Sequence, residues 1–156
     1  MERGLCKWYA DDDLAIYFSK EPDADIREIK PSMTKEEKDE IAEKPFINKK
    51  EITTVLFDLK RNRRYVFTIK KGYIWDGASI PRLAWRIIGA KTDPRFLIPS
   101  MIHDVLCENH HFAGNDRYFA DKVFERLLFV SGVSAWKRWA MFHTVDNFQK
   151  TQGWRA

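Results

Sequence analysis

Three side chains in the second half of this 156-residue chain have the chemistry to move a proton: adjacent His103 and Asp104, and Asp121 further on. The doublet lies in Pro99-Ser100-Met101-Ile102-His103-Asp104-Val105-Leu106-Cys107, and Asp121 in Arg117-Tyr118-Phe119-Ala120-Asp121-Lys122-Val123-Phe124. Both stretches read as apolar helices, so each carries an ionisable group where a purely structural helix would carry Leu or Ala. Burying a carboxylate costs on the order of several kcal/mol unless it is paired, hydrogen-bonded or bound to a cation. An imidazole facing a carboxylate across two packed helices supplies that partner, and it is also the arrangement of a general base. His103 and Asp121 are therefore the candidate catalytic pair. Asp121 shares a face with Phe124 and Leu128 by i+3 and i+7 spacing, while Arg117 at i−4 offers it a helix-surface partner instead. The connection over 109–115 is short, which makes the two helices antiparallel neighbours. His103 and Asp121 each lie about nine residues from a turn centre near residue 112, hence at similar height. The competing reading is a buried histidine satisfied for structural reasons.

Adjacent helical positions point about 100° apart, so Asp104 must serve a contact that His103 does not. Its natural companion is Asp76, in the stretch Gly72-Tyr73-Ile74-Trp75-Asp76-Gly77-Ala78-Ser79-Ile80-Pro81. Asp76-Gly77 is a turn signal, Ser79 can cap a following helix, and Pro81 suits the first helical turn. In the bland reading this is a strand-to-helix connection. In the functional one, Asp76 and neighbouring carbonyls present oxygens to a hard cation, or the loop amides cradle an anion. Asp104 and Asp76 are thus the candidate metal ligands, and oxygen donors favour calcium or magnesium over zinc. Ser79 and His143 are candidates for supporting groups behind the pair. His110 and His111 read as polar turn residues, with no third His or Cys well spaced for zinc. Cys6 and Cys107, the two cysteines, make neither a disulfide framework nor a metal knuckle. Cys107 reads as a small buried hydrophobe, one helical turn beyond His103 and placed for a minor role beside it.

The elements that must position these groups change character along the chain. Leu14-Ala15-Ile16-Tyr17-Phe18 is a strand candidate. Thr34-Lys35-Glu36-Glu37 has the form of a capping box and predicts a short exposed helix over about 35–43, a surface insertion. Ile52, Val55, Phe57 and Leu59 alternate with polar residues, Arg64 to Lys70 alternates too, and Lys60-Arg61-Asn62-Arg63 closes the hairpin between them. From Pro81 the period is helical, with helices expected near 81–89, 95–108, 116–131 and 134–149, punctuated by Gly89, Gly114 and Gly132. The expected class is α+β: an antiparallel β-meander feeding a C-terminal bundle of about four helices, in a single domain over 1–156.

Composition sets the outer limits. The chain is 44% hydrophobic and 14% aromatic, enough for a real core, and 32% charged. No run approaches the roughly 18 apolar residues of a membrane span. The opening Met1-Glu2-Arg3-Gly4-Leu5-Cys6-Lys7-Trp8 lacks an apolar h-region, so a cytoplasmic or virion-associated protein is expected. The net charge of +4 is mild, and the Lys60–Arg64 run reads as a solvated turn, so nucleic acid is not an expected partner.

Three ordered motifs, Trp75-Asp76-Gly77-Ala78-Ser79-Ile80-Pro81-Arg82, Ile102-His103-Asp104 and Arg117-x-x-Ala120-Asp121-x-x-Phe124, resemble the phage and prophage proteins grouped as domain-of-unknown-function family 1353 (DUF1353). The resemblance covers roughly 50–148 and implies a phage or prophage origin, with no established activity. The His-Asp doublet followed by an antiparallel helix bearing Asp and Phe is also similar to the two-helix core of secreted phospholipases A2. That resemblance implies His103 as the base, Asp104 as a calcium ligand, Asp121 as the group orienting the histidine, and residues 72–79 in place of the calcium loop. The Cys-rich loop and disulfides of those enzymes have no counterpart here. The HD phosphohydrolases share the doublet but need a metal-binding histidine upstream, and His103 is the first in the chain. Two functions follow as expectations. One is a small hydrolase of ester, amide or phosphodiester bonds. The other is a non-enzymatic phage protein, virion-associated or binding a host factor, in which the pair fixes helix register.

Overall fold

Alternating residues in the first half of the chain become two antiparallel sheets, and the apolar helices of the second half close over one of their faces. The structure, a computed structural model, describes residues 4–75, 94–108, 117–140 and 143. In order the elements are β1 (Cys6–Ala10), β2 (Leu14–Phe18), β3 (Ala24–Ile26), α1 (Lys35–Glu43), β4 (Phe46–Asn48), β5 (Ile52–Asp58), β6 (Arg63–Ile69) and β7 (Ile74–Trp75). A 3-10 turn (Pro94–Phe96) then leads into α2 (Leu97–Glu108), followed by α3 (Arg117–Val130). Residues 135–140 are helical as well. The expected helix over 81–89 and the turn carrying His110 and His111 lie outside the described residues. The architecture is α+β.

One sheet has four strands in the order β1-β2-β5-β6, and the other has three in the order β3-β4-β7. Register sets which side chains go inward. Ile16 pairs with Leu56 and Leu56 with Tyr65, one buried row across three strands. On β5 the buried row is Ile52, Thr54, Leu56 and Asp58. This corrects the alternation read from the sequence. Val55 and Phe57 belong to the opposite face, where Phe57 packs edge-on to Tyr17 at 5.8 Å, and Leu59 is exposed. A strand buried on both faces loses the clean polar-apolar period that reveals its inner side. The hairpin turn, expected to be simply solvated, also makes ion pairs: Lys60 meets Asp13 at 3.4 Å and Arg61 meets Asp58 at 3.8 Å. Asn62 takes φ 52 there, a left-handed value that asparagine tolerates.

α1 begins where the Thr34 hydroxyl accepts from the Glu37 amide, the first half of a capping box. Glu37 completes it differently from expectation, its carboxylate accepting from the Thr34 hydroxyl. Ile41 is the buried residue of this helix, so α1 rides on the surface. α3 ends at Gly132, φ +90, with the amide of Gly132 bonded to the Phe129 carbonyl and that of Val133 to the Leu128 carbonyl. This is a Schellman stop, sealed by the burial of Leu128 and Val133. α2 and α3 pack on the sheet through Met101, Ile102, Val105, Phe119, Val123 and Leu127, and the Phe119 ring lies 5.1 Å from that of Tyr65.

Candidate active site

Helical geometry on α2 and α3 brings two of the sequence candidates together. Nε2 of His103 lies 2.7 Å from Oδ1 of Asp121, and both side chains are wholly buried. The Phe124 ring, one turn beyond Asp121, packs against the imidazole at 4.9 Å between centroids. The choice left open for Asp121 between the helix surface and the interior therefore falls to the interior. Like the helix it sits on, it contributes to a face that reads Ala120, Val123, Phe124, Leu127 in the core.

Cys107 is the neighbour that sequence reasoning set aside as packing. It is half-buried and in no disulfide, and its Sγ lies 3.8 Å from Nδ1 and 3.9 Å from Nε2 of His103. The i, i+4 spacing that gave it a minor role beside His103 is what stacks the two side chains on one face. Burial by itself would drive the proton off His103. The Cys107 sulfur and the Asp121 carboxylate overturn that penalty and hold the ring protonated, its pKa pushed up to about 10.

Asp104 is buried too, at 5% exposure, on a different side of α2 from its neighbour. Its expected companion Asp76 and the supporting candidate Ser79 lie outside the described residues. The residue before Asp76 is firmly held: the Trp75 indole donates to Ser100 Oγ at 3.0 Å, and that hydroxyl donates to the Leu97 carbonyl. A hard cation asks for six or more oxygens. Among the described residues no group of three or more His, Cys, Asp or Glu is arranged to hold a metal ion, and the expected site at Asp104 and Asp76 includes a residue outside them. His143 is exposed, with its ring 4.7 Å from that of Trp139. Trp136 and Trp139 on the last helix are 58% and 66% exposed. Among the described residues no helix is long and apolar enough to cross a membrane.

With the geometry in place, comparisons with known proteins give three findings. A family model described as "Protein of unknown function (DUF1353)" matches residues 53–145. The chain is 36% identical over 73 residues to the uncharacterized protein y4jT of Sinorhizobium fredii (strain NBRC 101917 / NGR234). That match takes in 47% of this chain and 21% of the relative, so the shared stretch is about a fifth of the relative's length. No solved structure matches the chain. The matched span holds β5, β6, α2 and α3, and with them His103, Cys107 and Asp121.

Proposed function

The chain belongs to the DUF1353 family of proteins of unknown function, and from that premise we propose that it is a small hydrolase built on the His103–Asp121 pair. The observation that carries this reading is the 2.7 Å bond between the two groups, made across two helices with both side chains buried. His103 is the proton-transfer group. Asp121 fixes the orientation of the ring, leaving Nδ1 as the nitrogen that meets the reacting groups. The bonds within reach of such a pair are esters, amides and phosphodiesters. A phage or prophage origin belongs to the same reading and rests on the motif resemblance alone.

Complete burial of both groups favours a second reading, in which the pair staples α2 to α3 and performs no chemistry. Turnover separates the two. Purified protein is assayed against p-nitrophenyl esters, p-nitroanilides and bis-p-nitrophenyl phosphate, alongside His103→Asn and Asp121→Asn. A catalytic pair gives wild-type turnover that falls by about 100-fold to 10,000-fold in either variant. A staple gives variants of lowered stability and no turnover in any of the three proteins.

A further inference from the structure

We propose that Cys107 is the nucleophile of this site and that the bonds it opens are acyl esters. The inference rests on the hydrolytic reading of His103 and Asp121 and adds a third member to the pair. Three observations lead to it.

The first is access. His103 and Asp121 have no exposed surface, whereas Cys107, on the same face of α2 one turn later, is half-buried. Of the three residues, Cys107 is the one with surface that a solute from outside can touch. The second is connectivity. Asp121 engages Nε2 and Sγ rests against the same ring, so sulfur, imidazole and carboxylate form one contiguous set, the three members that an activated nucleophile, a base and an orienting group require. Sγ rests against the ring, nearly equidistant from its two nitrogens. Such loose contacts are ordinary before substrate binds and tighten afterwards. The third is anchoring. Phe124 backs the imidazole and the sheet backs α3, which holds the ring where Cys107 needs it.

The reaction balances without any added reagent. Sγ gives its proton to Nδ1 of His103, attacks the ester carbonyl carbon and forms an S–C bond. As the tetrahedral intermediate collapses, the C–O bond breaks and the proton on Nδ1 of His103 passes to the departing oxygen, leaving an S-acyl cysteine and an alcohol. Water then adds to the thioester carbonyl and gives its proton to Nδ1. The S–C bond breaks, the acid departs, and sulfur takes the proton back from Nδ1. The net change is ester plus water to acid plus alcohol.

Cys6 makes the test internal, because it is the other cysteine and is exposed. Folded wild-type protein is treated with iodoacetamide, and alkylation of each cysteine is followed by peptide mass spectrometry. An unactivated Cys107, being less accessible, must react more slowly than Cys6. The expected result is the reverse, with Cys107 faster by about tenfold or more and the advantage lost in urea and in His103→Gln. In parallel, p-nitrophenyl acetate should leave one acetyl group on Cys107, and Cys107→Ala should lose ester turnover at unchanged Tm. A Cys107 that alkylates no faster than Cys6 in the folded protein overturns the proposal, whether or not any variant folds. So does ester turnover that survives in Cys107→Ala. If that turnover is still lost in His103→Asn, the hydrolytic reading stands with water as its nucleophile and the cysteine alone is rejected. If wild-type protein turns over no substrate and Cys107 is slow, both fall.

Discussion

A leucine in place of Asp121 would leave the His103 imidazole among Phe124, Cys107 and the apolar face of α3, with its main carboxylate partner gone. Removing one member of a buried ion pair costs about 3–5 kcal/mol, since the remaining charge keeps its desolvation penalty. Asp121→Leu should therefore lower the urea midpoint sharply. His103→Leu combined with Asp121→Leu should recover much of that loss, because two apolar groups need no pairing. The same pair makes stability depend on alkaline pH. The folded-state pKa of His103 is raised to about 10, above the unfolded value near 6.5. A raised value means that the folded state holds the proton more tightly, so the stabilisation is whole below about pH 6.5 and is lost as pH climbs towards 10. The urea midpoint of wild-type protein should fall across that window and stay level in the double variant. A flat wild-type profile would mean that the ring is neutral in the fold. At this scale the sequence was informative about which residues matter, because a charged residue on an apolar helix is conspicuous. It undervalued Cys107, whose significance depends on which way the His103 ring turns.

Elements are joined here by single polar side chains as much as by core packing. Asn48, wholly buried at the end of β4, donates from Nδ2 to the carbonyls of Ile69 and Lys70 at 3.2 and 3.0 Å. Its backbone bonds Tyr73 and Gly72, so one residue ties the three-stranded sheet to the end of β6. Asn48→Ala should cost about 1–3 kcal/mol, the penalty for buried carbonyls left without donors, measured as a shift in urea midpoint at unchanged slope. The elements legible in the sequence are those with local signals. α1 follows from its Thr34 cap, α3 from its apolar stripe and Gly132, and β2 and β6 from β-branched and aromatic alternation. β3, β4 and β7 run only two or three residues each and were not legible. Such strands exist through their pairing with distant segments, and no local pattern announces them.

Across the whole molecule, the turn between β1 and β2 is fastened to α3 by an ionic cluster. The Asp11 carboxylate accepts from the amides of Asp13 and Leu14, from the Tyr9 hydroxyl and from Nε of Arg126, while Asp13 meets Lys60 and Lys122. Burial alone would raise the Asp11 pKa. The Tyr9 hydroxyl, the backbone amides and Arg126 reverse that and hold the carboxyl well below the usual range. A depressed value means that the stabilisation is present above the unfolded carboxyl pKa of about 3.9 and is lost as pH falls below it. Arg126→Gln should lower the neutral-pH stability by about 1 kcal/mol, a modest figure for a partly exposed cluster. It should also make the acid limb of a stability-against-pH curve shallower. An acid limb identical to wild type would show that the guanidinium contributes nothing to holding Asp11 ionised.

What the sequence determined by itself was local. It set the order of strands before helices, the caps of α1 and α3, and the presence of ionisable groups on apolar helices, because each follows from neighbours within a turn or two. The tertiary structure decided three things. It turned Asp121 inward to His103, set Cys107 against the same ring, and assigned the inner face of β5 to Thr54 and Leu56 rather than to Val55 and Phe57. Each depends on partners brought from far along the chain. For Asp121 the reason is the cost of burying charge: on a helix pressed into the core, a carboxylate settles where another segment offers a proton.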